Sequence, residues 1–415
     1  MDDDGQTDYA KIAKALGKII NNGIKVSCVD INESEYTFKP DAIHNQILFG
    51  MKSLNKVGSD VVQQIIAHRP YKNINDFISK CPLNKTVMIS LIKSGAFDNL
   101  DNGLEYKGKE QRQLVMAYYI YKISEPKKKI TLQNVSTLIN KNLIPYSLED
   151  SKQAFLFNKA LKNKRKKENN GGYELDAAMQ AEFAKFFDQD VLSVVDGQIS
   201  LPQKQWDLIY KEKMDALRSW IKGNQNEILQ ELNDYQFKET WDKYAQGNIA
   251  AWEMESMCFY YHDHELKNVN TIKYGLSDFS KLPVVPEVER FFKKKGKEIP
   301  IYKLTRIIGT VLGKNDVRSS ISLLTSNGVV EVKFTKEYFA NYDRQLSIIK
   351  EDGTKKIVDK SWFTRGVKLM ITGFRRDDTF VAKSYANTPT HQLYKIVELM
   401  NNGKDMIIQH ERNEE

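Results

Sequence analysis

The chain has 415 residues, 41% of them hydrophobic and 28% charged, with a formal net charge of +8 at pH 7. That length and apolar content give roughly two to four domains with their own cores and exclude a disordered chain. Cys28, Cys81 and Cys258 are too scattered for a disulfide framework or a zinc ribbon, no apolar run approaches the roughly 18 residues of a membrane span, and the acidic start Met1-Asp2-Asp3-Asp4 is not the charge of a secretory signal, so a cytoplasmic protein is expected.

In chain order, residues 9–22 carry Ile12, Ala13, Leu16, Ile19 and Ile20 on one helical face, stop at Gly23 and pass into a short strand-like run at 24–28. This reads as the closing piece of a domain whose earlier part is expected elsewhere. Residues 47–100 then alternate short amphipathic helices with turns built on Gly58 and Gly95, the layout of a tandem helix-hairpin-helix unit. In Leu54-Asn55-Lys56-Val57-Gly58 the last residue is expected to take a positive φ, and the following helix, with Val61, Val62, Ile65 and Ile66 on its apolar face, offers free N–H groups and a positive dipole end to a phosphate. Asn73 with Asp76 suggests one further cap and Asn84 another, the latter opening a helix with the stripe Val87, Met88, Leu91 and Ile92. Gly95 stands where a left-handed helix terminus calls for glycine. The expected DNA contacts are Asn55, Lys56, Val57, Gly58, Ser59, Lys93, Ser94 and Gly95. An ordinary helical bundle with glycine caps is the competing reading of the same pattern.

From 102 to 261 the sequence is mostly helical in character, with the stripe Leu114, Ala117, Tyr118, Tyr121, bulky Trp241, Tyr244 and Trp252, and an exposed loop at 168–172. Basic clusters at 127–129, 162–167 and 293–297 suit a polyanion, or simply a solvated surface. Residues 271–298, with Pro283 and Pro286, read as a linker. The period then changes to that of strands at 303–311, 321–324, 329–334, 367–374 and 379–385, with a helix at 336–342, which predicts an OB fold in which Gly309 lets the first strand bend. Basic side chains interleaved with an aromatic serve phosphates and base faces together, so Arg306, Lys314, Arg318, Lys333, Phe334, Arg375 and Arg376 are the expected single-strand contacts, although a phenylalanine in a barrel is more often core. One helix at 391–400 and a charged tail complete the chain. The fold class is thus multidomain α+β: a mostly helical N-terminal two-thirds, then a five-stranded OB β-barrel.

The segments GIKVSCVDINESEYTF at 23–38, ILFGMKSLNKVG, IIAHRPYKNINDF and LIKSGAFDNL, in that order and spacing, resemble the region just after the fingers of bacterial DNA polymerase III alpha subunits. ESMCFYYHDHEL at 255–266 is similar to a family segment of roughly the form E-x-L-G-F-Y-L-S-G-H-P-L: Phe259, Tyr260, His264 and Leu266 fit, while Cys258, Asp263 and Glu265 replace glycine, glycine and proline. In the first hairpin Lys56 stands at the usual first glycine position. The resemblance covers 10–100 and 250–387 well and the stretch between them loosely. It implies an end-of-fingers segment at 1–45, tandem hairpins at 46–100, a helical duplex-binding region at 101–270 and an OB domain at 299–387 that contacts single-stranded template, with the linker at 271–298 and the C-terminal helix and tail at 388–415 read from the residues themselves.

Nucleotidyl transfer in this family needs palm carboxylates that hold two divalent metals. None is visible here, since Asp30-Ile31-Asn32 and Asp377-Asp378 are isolated; no catalytic residue and no cofactor is expected in this chain, and Mg²⁺ is expected in a palm-bearing partner chain. His262 and His264 align with a structural segment, and no metal site is expected. Lys56 with Asp76 could suggest a glycosylase, but the Gly/Pro-rich approach to the acid is absent and Asp76 suits a helix start. Polymerases of this class dock on a sliding clamp through a peptide that Gln153, Leu156 and Phe157 would satisfy, with 205–209 a looser second match; an apolar run of this kind is also a common helix core. The implied function is a DNA-binding C-terminal portion of a replicative polymerase that grips primer–template duplex through phosphates and guides single-stranded template, with no membrane role. The alternative is a stand-alone, sequence-independent DNA-binding accessory protein.

Overall fold

The computed structural model describes residues 8–101, 108–162, 172–195, 197–294, 296–349, 353–386 and 391–412. They form two compact units, one of residues 1–117 and 245–415, the other of residues 118–244.

The first unit opens with α1 (Tyr9–Asn21), capped by Asp8 accepting from the Lys11 amide and followed by Gly23 at φ +79°. Its Ala13 and Leu16 are buried, as the apolar stripe requires. Strands β1 (Lys25–Val26), β2 (Lys39–Asp41) and β3 (Gln46–Leu48) make a small sheet in the order β1-β3-β2. Three helices come next: α2 (Ser59–Ala67), α3 (Ile74–Lys80) and α4 (Lys85–Lys93). The caps expected for α3 and α4 are present, Asn73 accepting from the Asp76 amide and Asn84 from the Val87 amide. Phe77 packs edge-on against Tyr71 and Phe97, with ring centroids 4.8 and 5.1 Å apart; burying a side chain of this size contributes about 2 kcal/mol. Every residue of α4 from Val87 to Lys93 is buried. Helix α5 (Lys109–Ile123) then leaves this unit.

The second unit contains α6 (Val135–Asn140), α7 (Glu149–Leu161), β4 (Tyr173–Glu174), α8 (Ala177–Phe186), β5 (Ser193–Val195), β6 (Gln198–Leu201), α9 (Gln203–Gly223) and α10 (Gln225–Tyr244). Its core is built on the fully buried Trp206, ringed by Phe157, Phe183 and Phe187, with the indole N–H donating to Asn158 at 3.0 Å. The small sheet β4-β6-β5 lies in a stretch expected to be helical. The expected exposed loop at 168–172 and the basic cluster 162–167 fall outside the described residues, apart from Gly172 and Lys162.

The first unit resumes with α11 (Ile249–Met257) and the single turn α12 (Thr271–Tyr274). The stretch expected as a linker holds β7 (Val288–Lys294), which pairs antiparallel with β8 (Lys297–Tyr302) as a separate two-stranded ribbon. The barrel follows: β9 (Thr305–Asn315), β10 (Ser320–Thr325), β11 (Gly328–Lys333), α13 (Lys336–Asp343), the ribbon β12 (Leu346–Ile349) and β13 (Lys355–Asp359), then β14 (Lys368–Arg376) and β15 (Thr379–Ala382). Pairing runs β9-β10-β11-β15-β14 and back to β9, with β11 and β15 parallel, so five strands close as an OB fold around Val311, Leu323, Val332, Trp362, Leu369 and Phe380. Gly309 is needed where β9 crosses closest to β10, because a Cβ there would collide with the Leu324 carbonyl.

The helix expected at 391–400 is corrected to strand β16 (Leu393–Met400), paired with β14 on one side and β17 (Asp405–Gln409) on the other. Tyr394 and Ile396 alternate into a cluster with Met370 and Met406, while Asn401, Asn402 and Gly403 all take positive φ in the hairpin turn. That Asn-Asn-Gly turn was the overlooked signal.

Candidate nucleic-acid interface

At the first bend the left-handed residue is Lys56, at φ +65°, and not Gly58, which is extended (φ −76°, ψ 162°) and serves as the N-cap of α2. The expectation for Gly58 is therefore corrected: the position that the resemblance assigns to glycine carries the strain, and a lysine bears it at a cost of about 1–2 kcal/mol. Gly58 makes no side-chain cap, and the first bond of the α2 ladder is Val62 N–H to the Gly58 carbonyl at 3.1 Å, so the amides of Ser59, Asp60 and Val61 precede the ladder. Lys56 and Gly58 are exposed and Ser59 is half-buried, its hydroxyl 2.8 Å from the Tyr36 hydroxyl. The Asp60 carboxylate shares this first turn and opposes an anion.

Two residues of the bend face inward and hold it. Val57 is buried, and Asn55 is tied on three sides: its amide donates to the Ser256 carbonyl (2.7 Å), its side chain to the Glu255 carbonyl (3.1 Å), and its own carbonyl accepts from the Ser90 hydroxyl (2.6 Å). Asn55 and Val57 are thus positioning residues. Lys56 lies 3.4 Å from one oxygen of the half-exposed Glu255, whose other oxygen takes Lys93 at 2.5 Å.

The second bend has the backbone expected of it and the opposite surroundings. Gly95 sits at φ +84°, with the Ala96 amide on the Leu91 carbonyl (3.1 Å) and the Gly95 amide on the Ile92 carbonyl (3.0 Å), a Schellman closure. Ser94 is fully buried and its carbonyl accepts from the Cys28 thiol at 2.9 Å. Lys93 is buried, and burial pushes its ammonium pKa down despite the pairing with Glu255. A Cβ on Gly95 would overlap the Arg112 guanidinium and Cys28 Sγ. Lys93, Ser94 and Gly95 are corrected to interior residues that no phosphate reaches.

What covers the second bend is a buried charge hub that sequence reasoning missed. Arg112, on α5, donates through Nε and Nη2 to Asp98 (3.0 and 2.5 Å to Oδ2), through Nη1 to Glu253 of α11 (3.0 Å) and to the Lys93 carbonyl (3.2 Å). Glu253, with no exposed surface, also accepts the Tyr261 and His262 amides at 3.0 Å and lies 2.5 Å from His262 Nδ1. Beside them burial pushes the Cys28 thiol up to about 12 even with Arg112 adjacent, so it is an unreactive packing group. A glutamate set directly between Trp252 and Met254 in the largely apolar helix sequence IAAWEMESM was the available signal.

The segment after α11 acts as a clasp onto the barrel. Cys258 takes φ +54° where the resembling family has glycine, the Tyr260 hydroxyl meets the Thr310 hydroxyl at 2.9 Å, and His264 Nε2 donates to the Leu324 carbonyl at 3.0 Å while Nδ1 accepts the Leu266 amide. That pair of bonds fixes His264 as the neutral tautomer. Its pKa is lowered, burial outweighing the opposing pull of the Leu324 carbonyl and Glu265. Among the described residues no group of three His, Cys, Asp or Glu side chains is disposed to hold a metal.

Of the seven residues expected on the barrel, Lys314, Arg318, Lys333 and Arg376 face solvent, Lys314 within ion pairs. Ser320 pairs opposite Lys333, which brings Arg318 and Lys333 to one end of the β10–β11 pair. Lys314 is committed to Asp343 (2.5 Å) and Asp316 (3.2 Å), Arg306 to the Tyr274 carbonyl (3.2 Å), and Arg375 to the carbonyls of Phe279, Ser280 and Leu282. Phe334 is corrected to core, packed on Phe363 at 5.0 Å. The clamp peptide is corrected too: Gln153, Leu156 and Phe157 lie within α7, Phe157 buried against Trp206 and Gln153 bonded to Glu149. The looser match at 205–209 lies within α9, with Trp206 at the centre of the core.

A helix-hairpin-helix family model matches residues 23–106. Over 417 aligned residues, 98% of this chain, the sequence is 37% identical to "Probable DNA polymerase YorL" of Bacillus subtilis (strain 168) and, at the same identity, to a DNA-directed DNA polymerase of Bacillus phage SPbeta; 31% of each relative is covered. A DNA polymerase III subunit alpha of Saccharopolyspora erythraea is 38% identical over 97 residues, 22% of this chain and 8% of that protein. The chain spans about a third of the length of the first two relatives. The resemblance to DNA polymerase III alpha subunits read from the sequence therefore holds.

Proposed function

We propose that the chain is a DNA-binding portion of a DNA polymerase III alpha-type replicative polymerase of bacterial or phage origin, working in the cytoplasm of the cell or infected host. The observation that carries this reading is the exposed Lys56–Gly58 bend, clamped from behind by Asn55 and Val57 and opening directly into the uncapped start of α2. Such a bend holds a duplex by phosphate oxygens, without reading bases. Arg318, Lys333 and Arg376 on the barrel lead single-stranded template toward the polymerase site. Catalysis belongs to a palm-bearing region or partner chain that binds Mg²⁺. With one open bend, about two to four phosphates are neutralised, so log K for a primer–template should fall against log salt with a slope near −2 to −4. Anisotropy titrations across a salt series check this, and a flat response overturns it. Primer extension reconstituted with a palm-and-fingers chain and Mg²⁺ tests the polymerase assignment separately.

A further inference from the structure

The ribbon β7–β8 takes part in neither the bend nor the barrel, yet it is not built like a connector. Phe291 and Phe292 are 61% and 56% exposed, and the register sets Phe292 opposite Ile299 and Phe291 opposite Pro300. Successive side chains of a strand point to opposite faces, so each face of this free ribbon carries one phenylalanine: Arg290 shares the first with Phe292, and Lys293 shares the second with Phe291. Lys297 is exposed at the turn end, and the sequence adds Lys294 and Lys295, against the acids Glu289 and Glu298. Folding alone supplies no reason to leave two phenylalanines in water on a strand. The base of the ribbon is fastened: the Tyr302 amide donates to the Tyr385 hydroxyl at 2.7 Å, the Lys303 amide to the Glu287 carbonyl at 2.9 Å, and the Tyr302 ring lies 4.7 Å from that of Phe374. The exposed Arg376 guanidinium covers both rings, at 5.7 and 5.4 Å.

We propose that this ribbon is a single-strand nucleic-acid arm, with unpaired bases stacking on Phe291 and Phe292 and the neighbouring phosphates held by Arg290, Lys293 and Lys297. Single strand is the occupant because a ring can lie flat on a base only where that base has left its stack; a duplex offers the ribbon phosphates alone. Nucleic acid fits better than a protein groove because each phenylalanine shares its face with a cation, and a groove that buried the ring would have to desolvate the charge. The assignment goes beyond the proposed function and stands without it, since any single-stranded DNA or RNA would serve.

The test uses the full chain with fluorescein-labelled oligo(dT), the same strand made of abasic units, and a blunt duplex. Replacing both residues (F291A with F292A) should weaken oligo(dT) binding about ten- to a hundredfold, with the abasic strand and the duplex bound as before and the salt slope unchanged. Because both side chains are exposed, the thermal midpoint should not move. In a separate F292W variant, oligo(dT) should quench the new indole emission. Lys56→Glu should show the converse, weakening duplex and sparing oligo(dT), so failure of the arm and failure of the duplex-gripping bend are told apart. Unchanged oligo(dT) affinity in the double variant, or an equal loss on the abasic strand or the duplex, would overturn the stacking assignment.

Discussion

The two glycine bends of the hairpin region share a local grammar and differ in fate. Both join a helical turn to a glycine and carry a left-handed residue, Lys56 in one and Gly95 in the other. The first is exposed; the second lies under Arg112 and Cys28, its carbonyls already taken. What covers the second is assembled around Arg112 from distant parts of the chain, Cys28 lying 84 positions before it and Glu253 141 after it. A bend binds only through the polar groups that the fold leaves to it: at the first bend these are the amides at the start of α2, since Asn55 is already tied to Ser256, Glu255 and Ser90.

The largest expected effect lies at the hub that covers the second bend. Arg112→Met leaves Asp98 and Glu253 buried without their cation and should destabilise the first unit by about 3–5 kcal/mol, read as a lower urea midpoint with DNA affinity lost only as the unit unfolds. Next comes a paired test at the glycines. Gly95→Ala, at φ +84° and with Arg112 in the way, should cost about 2–3 kcal/mol, whereas Gly58→Ala, at φ −76° with open space around it, should stay within about 0.5 kcal/mol; equal midpoint shifts would erase the distinction between the bends. Lys56→Gly sharpens it from the other side. Relief of the left-handed lysine should raise stability by about 1 kcal/mol while reducing the magnitude of the duplex salt slope by about 1, a gain and a loss measured on one variant.

The smallest effect concerns pH. The folded pKa of His264 lies below that of the unfolded chain, so the unfolded state takes up the proton first. Its stabilisation is complete above about pH 6.5 and is lost as pH falls toward the folded value. The thermal midpoint of the wild type should therefore drop more steeply between about pH 7 and 5 than that of His264→Gln, whose amide N–H still reaches the Leu324 carbonyl without titrating.

Much of the architecture could be read from the residues because it is set locally. The caps Asn73 and Asn84, the Schellman glycine at 95 and the five barrel strands each follow from spacing within about ten residues. The site was less legible because exposure is a tertiary property. Lys93 looks like a phosphate ligand until α11 brings Glu255 to it, and Phe157 looks like a docking peptide until Trp206 covers it. Phe291 and Phe292 went the other way, hidden in a stretch that two prolines and a lysine run made look unstructured.

The Arg112–Glu253 contact has an evolutionary and practical consequence. The chain leaves the first unit at Ala117 and returns at Ala245, so this ion pair joins the two margins of a long excursion. Insertions, losses or a protease nick within 118–244 need not sever what the margins hold together. Descendants of such a gene are free to rewrite the middle while keeping its borders.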